Sequence, residues 1–296
     1  MQRPPASAVL SAVTAFSLWG FLPVYWKQIG HLGADISIAQ RVVWTLLTCL
    51  LLLLGRRETR AWWRELRRPE VLRAHALSAL LLGINWGVFI WGALHGRILE
   101  CSLGYFLNPL LNVLIGCVLL GESLNGWQKT SIALAAAGVG LQMLAVGRPP
   151  WIALLLALSF GFYGLVRRRS SQGPLTGLAT ESLIAMPVAL GFLGWWHEEG
   201  RAVFGDGSWH DQLYIMGLGA VTTVPLLGFA NGARKLPFSL LGLLQFLAPT
   251  GQFLVGAFIY DEPLPPASLA AFAFIWSAVA VFCLELWLRS SRRHQP

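Results

Sequence analysis

Ser102, Tyr105, Asn108, Asn112 and Gly116 are spaced 3, 3, 4 and 4 residues apart along one apolar stretch, which places them on a single face of a helix. A hydroxyl, a phenol and two amides on one stripe are hydrogen-bond partners for a polar solute. Ser239, Gly242, Gln245, Gln252 and Gly256 form a matching stripe further along the chain. Lipid penalises such faces, so both stripes turn toward a protein interior. Asn85 beside Trp86, in GINWGVFIW, and Thr222 with Thr223, in VTTVPLL, are further polar side chains within apolar runs. Asn85 points inward, either toward a solute or as glue between helices. The two threonines either face the same interior or bond their own backbone.

The two stripes belong to a repeat. SLGYFLNPLLNVLIGCVLLGESL, from Ser102 to Leu124, aligns without gaps at an offset of 140 with GLLQFLAPTGQFLVGAFIYDEPL, from Gly242 to Leu264. The offset pairs Phe106 with Phe246, Pro109 with Pro249, Gly116 with Gly256 and Glu122 with Glu262. Each proline removes a backbone donor and frees a carbonyl, so Pro109, Gly116, Pro249 and Gly256 mark kinks. Interrupted apolar segments at corresponding places in two halves point to a transporter's binding site. Trp19, Trp86 and Phe246 supply apolar walls for it, and Tyr105, Asn108, Asn112, Gln245 and Gln252 its hydrogen bonds.

The elements that must position these residues are membrane helices. Of 296 residues, 55% are hydrophobic and only 12% charged, against about 25% charged in a soluble domain, and mean hydropathy is +0.60. Ten apolar runs lie between Ala6 and Leu288, each near the length of about 20 residues that a bilayer core requires. Phe16, Trp19 and Gly20 recur as Phe160, Tyr163 and Gly164, so the repeat extends beyond its most similar stretch. Arg148, Pro149 and Pro150 divide the chain into residues 1–148 and 149–296. Five runs per copy is an odd number, so the second copy enters from the opposite side, an inverted five-plus-five arrangement. Glu122 and Glu262 then cap their own helices on opposite faces.

The net charge of +8 reflects topology and not nucleic-acid binding. Seventeen of the 22 Lys and Arg residues fall in the two termini and the even-numbered gaps between runs, and four in the odd-numbered gaps. The positive-inside rule puts both termini in the cytoplasm. Residues Arg56 to Arg73 carry seven arginines with Trp62 and Trp63, the pattern of an interfacial helix with its indoles among lipid headgroups.

Two charged side chains lie well inside runs, Arg41 in the second and Glu181 in the seventh, at equivalent positions of the two copies. A cation at that depth snorkels or finds a partner. Inversion sets Arg41 and Glu181 toward opposite faces, which disfavours a direct pair between them. Glu181 is the carboxylate placed for coupling to a proton or another ion, unless it serves only to hold structure. No catalytic group, cofactor or metal site is expected, because the cysteines lack CxxC spacing, the histidines are scattered and no nucleotide-binding loop is present.

The stretches QRVVW (Gln40 to Trp44), INWGVFIW (Ile84 to Trp91), HGRILECSLGYFLNPLLNVLIGCVLLGE (His95 to Glu122), FGFYGLVRR (Phe160 to Arg168), VTTVPLL (Val221 to Leu227) and AFIW (Ala273 to Trp276) resemble the RarD group of the EamA family, in the drug/metabolite transporter superfamily. The resemblance implies ten transmembrane helices, a central cavity between the halves, and permeation or export of small metabolites or drugs across the inner membrane. It carries over the twin Pro and Glu motifs as structural hallmarks. The reading is an all-α membrane transporter, monomeric or homodimeric, that moves a small amphipathic solute by alternating access. With no fixed charge among the wall residues, a neutral or zwitterionic solute fits. An uncoupled facilitator, or an enzyme acting on lipid, is the alternative.

Overall fold

A computed structural model describes residues 5–120, 125–146, 149–201, 208–236 and 244–292, and every regular element among them is helical. The helices are α1 (Ala6–Gln28), α2 (Ala34–Gly55), the short α3 (Thr59–Glu65), α4 (Pro69–Leu94), α5 (Ile98–Leu120), α6 (Gly126–Val146), α7 (Trp151–Arg169), α8 (Pro174–Glu198), α9 (Trp209–Lys235), α10 (Leu247–Leu254), which continues through a π turn at Val255–Ile259, and α11 (Pro266–Arg292). Pro69 and Pro174 open α4 and α8, where a missing N–H costs nothing. Ser208 caps α9 by accepting from the Asp211 amide at 3.1 Å and donating to the Asp211 carboxylate at 2.9 Å.

Among the described residues six helices, α1, α2, α4, α8, α9 and α11, are long and apolar enough to cross a membrane. Their outward faces are leucine-rich, as at Leu51, 70% exposed, while Gln40, Asn85, Asn108, Thr180 and Gln252 are buried. That distribution is reversed from a soluble protein, in which buried amides are the exception. It is the arrangement that suits a lipid surround.

Contacts run across the middle of the chain. Helix α1 packs on α9 and α10, and α7 packs on α4 and α5; α2 lies against α8 and α9, α4 also touches α8, and α6 pairs with α11. Moving each helix by the 140-residue offset maps this pattern onto itself, so each half lends its first helix to the other. Helices approach closely where side chains are small. A Cβ on Gly251 of α10 would lie 2.9 Å from the Gly20 Cα of α1, closer than real Cβ contacts occur.

The bundle has two distinguishable ends. At one, Arg201 pairs with Asp35 at 2.6 Å, His31 with Asp211 at 3.3 Å, and Lys27 sits 4.8 Å from the Tyr260 ring centroid. At the other, α3 folds back under α8. Its Trp62 is only 2% exposed and donates to Thr180 Oγ1 at 2.9 Å, whereas Trp63 is 55% exposed. The expectation of two headgroup indoles therefore fails for Trp62, while Trp63 remains exposed. The Thr180 hydroxyl draws Trp62 inward, because a buried indole N–H needs an acceptor.

The close α1–α10 crossing yields a test. Gly251→Val forces side-chain atoms into the α1 backbone, and overpacking of this kind costs about 1–3 kcal/mol. Gly83→Ala, where nothing lies within 4 Å of the added carbon, removes a helix-interior glycine at a gain of up to about 1 kcal/mol. Thermal unfolding in detergent is expected to fall for the first variant and hold or rise for the second.

Candidate functional site

Buried polar side chains gather in two centres and in a seam between them. The first centre is Arg41, the eighth residue of α2. It does not snorkel, being only 4% exposed. Its Nε donates to Thr222 Oγ1 of α9 at 3.0 Å, and its guanidinium carbon lies 3.5 Å from the Trp86 ring centroid and 5.5 Å from that of Trp26. A planar guanidinium against indole faces is a cation–π arrangement, which partly replaces lost hydration. Thr222 thus does more than bond its own backbone. Thr223, next along, is turned to Cys49 with a sulfur-to-oxygen separation of 3.9 Å.

The seam joins α4, α5 and α7. The Asn85 amide nitrogen donates to the Leu156 carbonyl at 3.0 Å and to Ser159 Oγ at 3.1 Å, and its oxygen accepts from the Tyr105 hydroxyl at 3.0 Å. Asn85 therefore points inward and acts there as glue between helices. On the other side, Gln252 Nε2 of α10 donates to the Trp19 carbonyl of α1 at 3.3 Å, leaving its buried oxygen without a hydrogen bond among the described residues. Ser102 Oγ donates to the Pro249 carbonyl at 2.7 Å, and Phe106 stacks with Phe246 at 6.4 Å between centroids. Asn108 is buried with its oxygen unbonded among the described residues, and Gln245 is half-buried.

Glu262 departs from expectation. Its carboxylate accepts from the amides of Ile98 at 2.8 Å and Leu99 at 2.9 Å, so it caps the start of α5 rather than the helix that precedes it. The first amides of a helix have no partner within it, and the helix dipole favours an anion there. Gly256 permits the approach, because a Cβ on it would meet Ile98 and Leu99 side-chain atoms at 3.2–3.3 Å. Glu122 lies outside the described residues, and for Pro109, Asn112 and Gly116 only the helical backbone is described.

The second centre is Glu181, the eighth residue of α8. Its Oε1 accepts from Ser78 Oγ at 2.7 Å and lies 3.3 Å from His75 Nδ1 and 3.6 Å from Arg167 Nε, while Oε2 accepts from the Tyr163 hydroxyl at 3.4 Å. His75 Nε2 reaches Ser170 Oγ at 2.9 Å, and Arg167 also donates to the Gly173 carbonyl at 3.1 Å. The carboxylate thereby ties α8 to α4 and α7. Sequence reasoning missed its partners, although a signal was present. His75 and Ser78 are three apart and Tyr163 and Arg167 four apart, so each pair shares a helical face. Arg167 is one of the seventeen basic residues whose distribution speaks only of topology in the sequence.

Removing one member of a buried ion pair strands the other, at about 3–5 kcal/mol. Glu181→Ala and Arg167→Gln are each expected to lower thermal stability markedly. The double variant should lose less than the sum, as groups sharing one network couple. Thermal unfolding of the four proteins in detergent measures that coupling, and additivity would deny the pair its role.

Comparison with known proteins agrees with this architecture. The profile of the EamA-like transporter family matches residues 6–144 and again 149–284. An uncharacterized transporter of Pseudomonas aeruginosa is 40% identical over 285 residues, covering 96% of this chain and 95% of that one. The RarD protein of Escherichia coli is 37% identical over 277 residues, covering 94% of each, and that of Salmonella typhi is 39% identical over the same length. A crystallised protein shares the fold with a TM-score of 0.63 at 21% identity, covering 95% of this chain and 98% of its own. With two family matches that together span most of its length and with full-length relatives, the chain is a multi-pass membrane protein that belongs to the EamA-like transporter family.

Proposed function

We propose that the chain is a secondary transporter of the inner membrane that exports a small amphipathic organic solute by alternating access between residues 1–148 and 149–296. The observation that carries this reading is where the two halves touch. Arg41 on Thr222, Ser102 on the Pro249 carbonyl and Gln252 on the Trp19 carbonyl are all hydrogen bonds from one half to the other. Buried polar contacts between repeats are unusual in a bundle held only by packing and are expected where repeats rock around a shared polar site. The family and its transporter-named relatives favour carriage over catalysis.

The self-mapping contact pattern supports an inverted five-plus-five repeat with ten spans. The basic end bearing α3 is then cytoplasmic, with both termini on that side. The wall of the pathway is assigned to Trp19, Asn85, Trp86, Tyr105, Asn108, Asn112, Thr222, Thr223, Gln245, Phe246 and Gln252, with Pro109, Gly116, Pro249 and Gly256 as the points of flexure. Coupling to a proton is assigned to Glu181, where His75, Arg167, Tyr163, Ser78 and Ser170 form the facing set. A proton taken up by the Glu181–His75 pair would relax the hold on Arg167, and with it the tie of α8 to α7.

Proteoliposomes test both parts. Vesicles loaded with a transported solute should show counterflow of its labelled form, which a non-transporter does not produce. An imposed pH gradient should drive net accumulation in the wild type. In Glu181→Gln, counterflow should persist while the response to the pH gradient disappears. Retention of that response would remove Glu181 from coupling, and its absence in the wild type would favour an uncoupled facilitator.

A further inference from the structure

Arg41 has more hydrogen-bonding capacity than the protein uses. A guanidinium carries five N–H donors in a rigid fork. Of these only the Nε hydrogen has an acceptor among the described residues, the Thr222 hydroxyl at 3.0 Å. The acids that might have neutralised it are engaged elsewhere. Asp35 pairs with Arg201, Glu181 with Arg167 and His75, Glu100 with Arg97, and Glu262 with the start of α5. Among the described residues no ion pair includes Arg41, yet its side chain is 4% exposed in the middle of an apolar cluster. A buried cation without a counter-charge is an arrangement that folding alone does not favour.

We propose that Arg41 is the anchor for a carboxylate on the transported solute, and that the solute is a small organic monoanion with a flat apolar body. This rests on the transporter reading for the word transported, but the binding site rests on geometry alone. Thr222 holds Nε and so fixes the plane of the fork. Trp86 lies against the guanidinium, and the two terminal nitrogens have no acceptor among the described residues, so theirs is the edge left for a ligand. That edge is the one that carboxylates take in bidentate pairing. Trp26, whose ring centroid lies 5.5 Å from the guanidinium carbon, and Trp19 belong to one apolar cluster, which suits the flat hydrocarbon body of a solute and not a hydrated group. A single guanidinium matches one negative charge. A phosphate monoester would bring about −1.5 to −2 at neutral pH, and no second cation adjoins Arg41 among the described residues. The carboxylate end of a zwitterion meets the same requirement.

The test uses the full chain in lipid nanodiscs, with phenylacetate, 3-phenylpropionate, 4-phenylbutyrate and the corresponding amides as probes. Tryptophan fluorescence excited above the phenyl absorption reports binding through Trp86. At least one carboxylate is expected to bind saturably and its amide at least tenfold more weakly. Arg41→Gln should weaken the carboxylate at least tenfold, about 1.4 kcal/mol, while its unliganded melting temperature holds or rises because an uncompensated cation has gone. If Arg41→Gln does not fold, Arg41→Lys replaces it. Lysine keeps the charge but lacks the fork, and should weaken the carboxylate several-fold. Failure of every carboxylate to bind, equal binding of acid and amide, or unchanged affinity in the folded variant overturns the proposal. Arg41-dependent binding without counterflow in proteoliposomes would leave the site standing and reject transport. Counterflow of other solutes with no Arg41-dependent binding would do the reverse.

Discussion

A charged group inside a low-dielectric bundle persists only where protein atoms replace its water, and this requirement governs how the two halves of the chain meet. Arg41 and Glu181 are the eighth residues of α2 and α8, helices that pack on each other. Each finds a hydroxyl on the opposite half, Arg41 on Thr222 of α9 and Glu181 on Ser78 of α4. The two bonds join corresponding pairs of helices, α2 to α9 and α8 to α4, although the charges are opposite and the two hydroxyls are not matched residue for residue. The two copies thus carry opposite charges at equivalent positions of α2 and α8.

The remaining architecture follows from the same scarcity of water. Polar side chains face inward because the outer surface meets lipid, and leucines cover that surface because they cost nothing there. With no hydrophobic gain left to drive one helix against another, packing depends on close approach and on polar bonds. The Gly20–Gly251 crossing supplies the first. The bonds from Ser102 and Gln252 to backbone carbonyls supply the second, and both are made across the repeat boundary. Exchange of α1 and α7 between halves lets each half complete the other's core.

The helices, the repeat and the burial of Ser102, Asn108 and Gln252 were legible because they are written as periodicity, and periodicity survives without knowing any partner. Glu262 shows where that ends. Its place at the close of an apolar run suggested a cap on its own helix, whereas its acceptors' true donors, the amides of Ile98 and Leu99, are more than 160 residues away in sequence. Trp62 and Arg167 were misjudged for a related reason. Both stand among basic residues whose composition speaks of a membrane surface, and only the fold reveals that each turns back into the bundle to meet Thr180 or Glu181. Arg41 marks a third kind of limit. The solute was expected to be neutral or zwitterionic because the stripes contain no charge, whereas the charged group proposed above as its anchor lies on a different helix.

Unequal ties between helices decide where the halves can move. At the Glu181 centre, α4, α7 and α8 are joined by a charged pair and several hydrogen bonds, and separating them exposes ions at about 3–5 kcal/mol. Glu262 joins the start of α5 to the segment after α10 by two charge-assisted bonds, each worth about 1.5–3 kcal/mol. Between α2 and α9, by contrast, Arg41 holds Thr222 by a single bond, and the ion pair between Asp35 and Arg201 near the same end is solvent-exposed and worth about 0–1 kcal/mol. A carboxylate that took over the free edge of Arg41 would therefore act on a contact between the halves that is held by a single hydrogen bond. In that position a ligand of modest affinity can shift the balance of conformations, since the shift it produces is limited only by its preference for one state over the other.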